Sequence, residues 1–523
     1  KADHEQVLES HLFLKQKRDD SIKGRMVAGG NKQRGLIPNQ EASSPTAALE
    51  SVLITSVIDA LEERDVAIID IPNAFIQTRI LDDADKAVMR MRGKLAELLV
   101  SVAPEIYSKY ITTNQKGEPV LYVKLLNALY GIMKAALLFY QRFVKDLESI
   151  GFILNPYDPC VANKTVDGSQ LTIVWHVDDL KISHKSPKTV TRMITWLQKT
   201  YERLFDDGSG SMKVCRGRVH DYLGMTLDFQ VPGQVTVGMV SYIEEIVSHF
   251  QQHDDSLSTT STPAAEHIFR VDINSPKLQA AQATIFHHFV AKCLFATKRS
   301  RPDIAVAVAF LTTRVKSPDQ DDWKKLTRLI RYLRGTTELS LTLSATSTIL
   351  PKWWVDGSHG VHPTMRGHTG GCLSLGQGTI YSVSTKQKMN SRSSTETEII
   401  AVDDLMPSLL WTNYFLEHQG FSSSNAILYQ DNKSAILLEN NGRKSSGKRT
   451  KHINMRFYFI TDRIRNGELT IEHCPTQAML ADFFTKPLQG QLFFKFRSII
   501  MNLPVHSPLP SNIRSRRSVL ELS

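Results

Sequence analysis

Residues 172–180 read Thr172-Ile-Val-Trp-His-Val-Asp-Asp-Leu180. Apolar and β-branched residues run up to an acidic pair and resume after it, so Leu171 to Ser183 is expected to form two short strands interrupted at Asp178-Asp179. Two adjacent carboxylates at a strand turn repel each other unless a cation sits between them. An acidic pair is also an ordinary polar turn, and taken alone that plainer reading is the commoner one. The surrounding sequence has to decide.

Upstream, Val66-Ala67-Ile68-Ile69 is a second β-like run and ends on Asp70, before Ile71-Pro72-Asn73-Ala74-Phe75. An apolar helix is expected from about Ala48 to Glu62, capped from the turn Ser43 to Pro45. Lys15 to Arg34 is basic and contains glycine, and residues 119–147 hold an apolar, aromatic helix-like segment. Downstream, Asp254 to Pro276 shifts to Ser, Thr, Pro and Asp and is the best linker candidate. A mostly helical region runs on to Gly335. After Leu350 the pattern becomes three strands, helix, strand, helix, strand, helix, ending near Leu488. From about His506 the tail has too little apolar surface to offset its ordering entropy and is expected to be disordered.

A chain of 523 residues is too long for one hydrophobic core. Hydrophobic residues at 41% and charged residues at 22% suit a soluble globular protein. The formal charge of +10 and pI near 9.2 favour a polyanionic partner. The cysteines Cys160, Cys215, Cys293, Cys372 and Cys474 are scattered, which points away from a zinc module and toward reduced, intracellular thiols. No apolar run is long enough for a bilayer span and the amino end lacks a signal-peptide stretch, so no membrane partner is expected. The chain begins at Lys1 without an initiator methionine, which points to a piece of a longer translation product.

Hard divalent cations prefer carboxylate oxygens, and two such ions about 3.5–4 Å apart are the usual centre for phosphoryl transfer. Asp70, Asp178 and Asp179 have the right chemistry. Four blocks, Val66 to Gln77, Leu125 to Phe139, Val174 to Lys181 and Tyr222 to Phe229, resemble in order the reverse transcriptases of copia-type LTR retrotransposon polyproteins. That resemblance implies that Asp70, of D-x-x-N-A-F, and Asp178 and Asp179, of V-D-D, bind the catalytic metals. Arg25, in Ile22-Lys-Gly-Arg-Met-Val, resembles the arginine that contacts incoming triphosphate, work suited to a guanidinium; a solvated basic loop is the alternative. Phe75 matches the aromatic position beneath the nucleotide sugar, or is a core aromatic beside Ile71 and Ala74. Tyr222, Gly224 and Met225 resemble the strand supporting the primer end, or form an ordinary strand. The chain departs from the family at His176, where relatives carry an aromatic, and at Leu129-Tyr-Gly-Ile-Met-Lys-Ala-Ala136, where Lys134 replaces a glutamine. Both bear on fidelity and leave the carboxylates untouched.

The region after residue 350 carries a second acidic set. Trp353-Trp-Val-Asp356 reads as a strand ending in an acid, Gly370 to Leu375 and Thr379 to Thr385 as the next two strands, Ala426 to Asp431 as a fourth, and Met479-Leu-Ala-Asp482 as part of a late helix. Each acid has a plainer alternative: Glu396 with Ser393, or Glu398 with Thr395, as a capping box, Asp431 as a turn or cap, Asp482 as a solvated face. As a set, Ser-Thr-Glu-x-Glu, Tyr-Gln-Asp-Asn and Ala-Asp-Phe-Phe-Thr-Lys-Pro-Leu resemble the ribonuclease H domain of copia elements, which implies Asp356, Glu398, Asp431 and Asp482 as metal ligands. Glu398 is preferred over Glu396 because it precedes Ile-Ile-Ala, resembling the position in the family where the catalytic glutamate precedes small and apolar residues. His473 is taken as incidental. The basic stretch Arg443 to His452, with Lys448 and Arg449, is a solvated loop or a phosphate-contacting surface for a hybrid duplex.

The resemblance therefore implies an α+β multidomain chain. It comprises a fingers-palm-thumb polymerase over 1–250, a linker and helical connection over 251–350, an α/β ribonuclease H-like domain over 351–490 and a tail over 491–523. The implied enzyme is an RNA-directed DNA polymerase with ribonuclease H activity, using two Mg²⁺ (or Mn²⁺) ions per active site. Its partners would be an RNA template, a DNA primer strand, the RNA–DNA hybrid and deoxynucleoside triphosphates, inside cytoplasmic virus-like particles. A DDE integrase would need D, D, E order and an upstream His/Cys module, and neither is present. A non-LTR enzyme is disfavoured by the match in both halves. The remaining alternative is a decayed copy that only binds nucleic acid, against which stands the presence of all seven acids.

Overall fold

In a computed structural model the described residues are 7–16, 22–35, 37–38, 42–81, 87–202, 210–254, 258–421, 426–442 and 454–503. They form two compact units that interleave in sequence. The first comprises Lys1–Ala47, Ala67–Leu154 and Pro159–Cys215, the second Ala48–Val66, Asn155–Asp158 and Arg216–Ser523. Lys448 and Arg449, and the tail from His506, lie outside the described residues.

The first unit contains a five-stranded sheet ordered Ile22–Ala28, Leu8–Gln16, Val88–Arg92, Pro119–Lys124, Thr112–Thr113. Leu8, Met89, Met91 and Leu121 bury one face of it with Ala28 and Ala135. A second sheet centres on Asp65–Asp70, Asp179–His184, Ser169–His176 and Asp158–Val166, adjacent in that order. The helix Ala135–Ser149 places Phe139, Phe143 and Leu147 four residues apart, so all three point to one buried stripe. There Phe143 meets Trp175 edge-on at 5.2 Å and Tyr201 at 5.9 Å between ring centroids. This aromatic core fixes the sheet that carries the acidic hairpin.

The segment 129–133 is stitched to the edge of the first sheet. Ala28 N donates to Tyr130 O at 2.8 Å, and a Cβ on Gly131 would stand 2.0 Å from Ala28 O with φ at +94°. Only glycine allows that approach.

In the second unit, Val219–Tyr222, Met225–Asp228, Gln234–Gly238, Leu341–Ala345 and Gly376–Gln377 form one sheet in that order. Helices Ala280–Arg299, Ala305–Thr312 and Gln320–Arg334 account for the helical reading before Gly335. The other sheet is ordered Tyr381–Lys386, His368–Ser374, Lys352–Ser358, Ala426–Gln430, Leu469–His473, antiparallel across its first three strands and parallel across its last three. The long helix Ser394–His418 packs on it through Ile399, Val402 and Leu405. The mixed α+β class, with several sheets, agrees with the sequence reading.

Two expectations need correcting. The helix Leu49–Leu61 receives no side-chain cap from the turn Ser43 to Pro45; Asp158 supplies it, accepting from Ala48 N at 2.9 Å and Ser51 Oγ at 2.5 Å. A carboxylate serves the positive end of the helix as well as a serine would, and nothing local announces one 110 residues away. The Ser/Thr-rich stretch, where described, is also no free linker. Thr262 Oγ1 donates to Gln489 Oε1 at 2.9 Å, and Phe269 packs on His362 and His368 at 5.0 and 5.2 Å.

Fully buried Arg301 forks onto Asp303 at 2.9 and 2.8 Å and onto Thr336, while Tyr332 Oη donates to Asp303 at 2.6 Å and Arg497 Nη1 donates to Tyr332 Oη at 3.2 Å. The guanidinium beside Asp303 holds its carboxyl below the usual carboxylate range although burial opposes this. Replacing one partner of such a pair leaves the other charged and dry. Asp303→Asn is expected to cost about 3–5 kcal/mol of stability, read by urea denaturation; a cost below about 1 kcal/mol would remove the network from the core's supports.

Candidate active sites

Asp70 ends a strand whose four middle residues are buried, and the next residue ties it to the acidic hairpin, because Ile71 N donates to Asp178 O at 3.0 Å. The hairpin is the one expected: Ser169–His176 and Asp179–His184 pair antiparallel with His176 opposite Asp179, leaving Val177-Asp178 as a two-residue turn. Val177 has φ at +60°. A β-branched residue there is strained by roughly 1–3 kcal/mol, and the strain is held where the turn must present Asp178.

Burial and the charges of Asp178 and Asp70 push Asp179 up to about 6. Asp178 is raised too, first by burial and then by Asp70, with Arg25 and His176 opposing. Thus the three acids share one electrostatic neighbourhood, with the Arg25 guanidinium as a local counter-charge. The Arg25 guanidinium lies 5.9 Å from the Tyr130 ring centroid, and that ring lies 4.6 Å from Phe75. Phe75 is half-buried and also packs against the core of the first sheet, so its two readings are not exclusive. Tyr130, whose hydroxyl is raised by burial and by the neighbouring charge of Asp178, is a member of this neighbourhood that the sequence alone does not single out. Its only trace in the sequence is an aromatic before Gly131. Lys134 is the N-terminal flanking residue of the helix Ala135–Ser149.

Tyr222, Gly224 and Met225 belong to the second unit. Leu223 and Gly224, at φ +51° and +79°, turn one strand into the next. Tyr222 and Met225 are buried, so their bulk serves the sheet. Gly224 and Met225 border a cavity of about 530 Å³ that Asp221, Thr226 and Tyr242 also line.

The second acidic set converges more tightly. Among the described residues, Asp356, Glu398 and Asp431 are the acids that bring one oxygen each within 4.8 Å of one another. The sheet supplies the first and third from neighbouring parallel strands, Lys352–Ser358 and Ala426–Gln430. Gly357 lets the helix come close: a Cβ there would stand 2.6 Å from Thr397 O, and its amide donates to Glu398 Oε2 at 2.9 Å. The choice between the glutamates follows. Ser393 Oγ accepts from Glu396 N at 3.2 Å and Glu396 Oε2 accepts from Arg392 N at 2.6 Å, so Glu396 serves the helix start and Glu398 faces the acids. Asp431 accepts from Thr476 Oγ1 at 3.1 Å and leaves capping to Asn432, whose Oδ1 accepts from Ser434 N and Ala435 N.

Asp482 opens the short helix Asp482–Thr485. Its Oδ1 accepts from Lys486 Nζ at 2.6 Å, and the Thr485 hydroxyl donates to Asp356. Burial first, then neighbouring acids, pushes Glu398 well above the usual carboxylate range, raises Asp356 and lifts Asp482 to about 6. Clustered oxygens whose charged form is disfavoured suit a hard divalent cation. His473 ends the strand beside Ala426–Gln430, paired with Gln430. Nothing local in Ala-Asp-Phe-Phe-Thr-Lys-Pro-Leu marks Thr485 and Lys486 as members of the site; the structure puts both against the acids.

Residues 3–265 match the family described as Reverse transcriptase (RNA-dependent DNA polymerase). The Retrovirus-related Pol polyprotein from transposon TNT 1-94 of Nicotiana tabacum is 25% identical over 480 residues, 90% of this chain and 33% of that protein. The corresponding polyprotein from transposon RE1 of Arabidopsis thaliana is 26% identical over 500 residues, 94% and 31%. The chain thus spans about a third of the length of these relatives. Among solved structures, the Prototype Foamy Virus Protease-Reverse Transcriptase covers 92% of this chain and 52% of its own at 13% identity and TM-score 0.25. LC11-RNase H1 covers 26% and 91% at 14% identity and TM-score 0.20.

Raised acids predict a direction for stability. Asp179 and Asp482, both near 6, keep their protons in the folded chain to higher pH than in the unfolded one. Between about pH 4 and about pH 6 the folded state binds more protons, so stability falls as pH rises through that window. Thermal denaturation in chelator should show this decline, and Asp179→Asn or Asp482→Asn should flatten it. Stability that rises across the window, with no difference in either variant, would mean the acids are not held together.

Proposed function

The chain belongs to the reverse transcriptase (RNA-dependent DNA polymerase) family as carried by copia-type retrotransposon polyproteins, and from that premise we propose that it copies RNA into DNA and cleaves the RNA of the hybrid. The observation that carries the proposal is the presence of two separate carboxylate constellations, each on a different sheet, one inside the family match and one beyond it. DNA synthesis is assigned to Asp70, Asp178 and Asp179. Hybrid cleavage is assigned to Asp356, Glu398, Asp431 and Asp482.

Divalent ions, Mg²⁺ or Mn²⁺ and two per site, would supply activation of the attacking oxygen and charge relief at the phosphorus. In the first site the chain contributes a pre-set turn: the Val177 conformation presents Asp178 and the Ile71 amide holds its carbonyl, so the acids need little reordering. Arg25 is the cation available to an incoming triphosphate. Phe75, held by Tyr130 on one side and the sheet core on the other, would exclude a ribose 2′-hydroxyl by bulk. In the second site the Gly357 amide and the Thr485 and Thr476 hydroxyls orient the carboxylates and spend no charge doing so. The partners are an RNA template, a DNA primer and deoxynucleoside triphosphates, consistent with the +10 net charge. Among the described residues no helix is long and apolar enough to cross a membrane. Action inside virus-like particles belongs to the same proposal.

Primer extension on an RNA template and cleavage of a labelled hybrid, run side by side, test the assignment. Asp178→Asn should lower extension by at least about 100-fold and spare cleavage, and Asp356→Asn should do the reverse. Loss of both activities from either variant, with its fold intact, would contradict two independent sites.

Phe75 can be tested on the same template. Phe75→Val should raise ribonucleotide relative to deoxyribonucleotide incorporation, while Phe75→Tyr keeps the ratio. An unchanged ratio together with a destabilised fold, of about 1–3 kcal/mol for such a truncation, would assign the ring to the core alone.

A further inference from the structure

Lys486 stands four residues after Asp482, so one turn of chain brings its ammonium back over that carboxylate. Its Nζ is 2.6 Å from Asp482 Oδ1 and 3.8 Å from Asp356 Oδ1, and its side chain is 40% exposed, with an open route to solvent. The three acids that converge are Asp356, Glu398 and Asp431; Asp482 is turned to the lysine instead. Lys486 is also a positive charge that opposes the upward shifts of Asp356, Glu398 and Asp482. An ammonium with three donors and one charge can hold such a site, but it cannot bridge carboxylates as a divalent ion does.

We propose that Lys486 is a built-in counter-cation of the second site: it holds Asp482 apart from the three converging acids in the metal-free chain and must release it before a second divalent ion can be ligated. The inference rests on the reading of this site as the hybrid-cleaving one. Lys486 is a positioning residue that acts through Asp482, and divalent-cation affinity is set by competition between ammonium and metal for that carboxylate. Removing the positive charge frees Asp482 for metal and leaves the metal-free acids uncompensated.

The test is Mn²⁺ binding by calorimetry to the full chain carrying Asp178→Asn and Asp179→Asn, which silences the other acidic site, with thermal unfolding measured with and without Mn²⁺. Lys486→Met should bind the weaker Mn²⁺ at least about tenfold more tightly than the parent, and should gain more thermal stability on adding it. Lys486→Arg should stay close to the parent. Lys486→Gln gives the same comparison if the methionine variant folds poorly. Mn²⁺ affinity that is unchanged or weaker in the neutral variants overturns the proposal. Asp431→Asn in the same background separates the two readings. If it weakens Mn²⁺ binding while the Lys486 variants do nothing, the metal site stands and the lysine's role falls. If it changes nothing, the site assignment itself fails and takes the proposal with it.

Discussion

Repulsion between carboxylates in half-dry surroundings is the constraint around which both acidic sites are arranged. Two negative charges 4 Å apart at an effective dielectric near 20 disfavour each other by about 4 kcal/mol, and no chain gathers three or four of them without rigid supports. The supports are visible in each case. A buried strand and a strained two-residue turn hold Asp70, Asp178 and Asp179 in one neighbourhood. Two neighbouring interior strands of one sheet, a helix drawn close at Gly357 and a one-turn helix do the same for Asp356, Glu398, Asp431 and Asp482.

The two sites meet the constraint by different means. In the first, counter-charge comes from Arg25, and Asp178 has the Tyr130 side chain in its electrostatic neighbourhood. In the second, neutral donors bear directly on the oxygens and one ammonium lies within 4 Å of two acids. Fixed amides and hydroxyls satisfy lone pairs whether or not a cation is present, which keeps the acids aimed inward when the site is empty. An ammonium on a long, half-exposed stem is a different kind of support, because it can be exchanged.

The scaffold of the second unit is correspondingly stiff. Arg301, Asp303, Tyr332 and Thr336 are joined by buried, mutually satisfied bonds that reach Arg497 on the helix Gly490–Met501. The Ser/Thr-rich stretch, which composition alone marks as a linker, is tied into the same unit through Thr262 and Phe269. Polar composition lowers the drive to pack, but a few apolar anchors and hydrogen bonds to buried partners suffice to pin a strap.

Local periodicity by itself determined the strand before Asp70, the hairpin around Asp178-Asp179, the helix beginning near Ala48, the helical run before Gly335 and the strand order after Leu350. Such patterns record which face of a few consecutive residues avoids water, and that information is contained in the neighbours themselves. The tertiary structure alone decided what depends on distant partners. It separated Glu398 from Glu396, because capping needs only the backbone of Arg392 whereas the site needs Gly357 across the sheet. It gave the helix Leu49–Leu61 its cap from Asp158, set Tyr130 between Phe75 and Asp178, and laid Lys486 on Asp482. A charge or hydroxyl has the same letter in the sequence whether it faces solvent or another acid, and only the folded distance, entering through Coulomb's law and hydrogen-bond geometry, gives it a role.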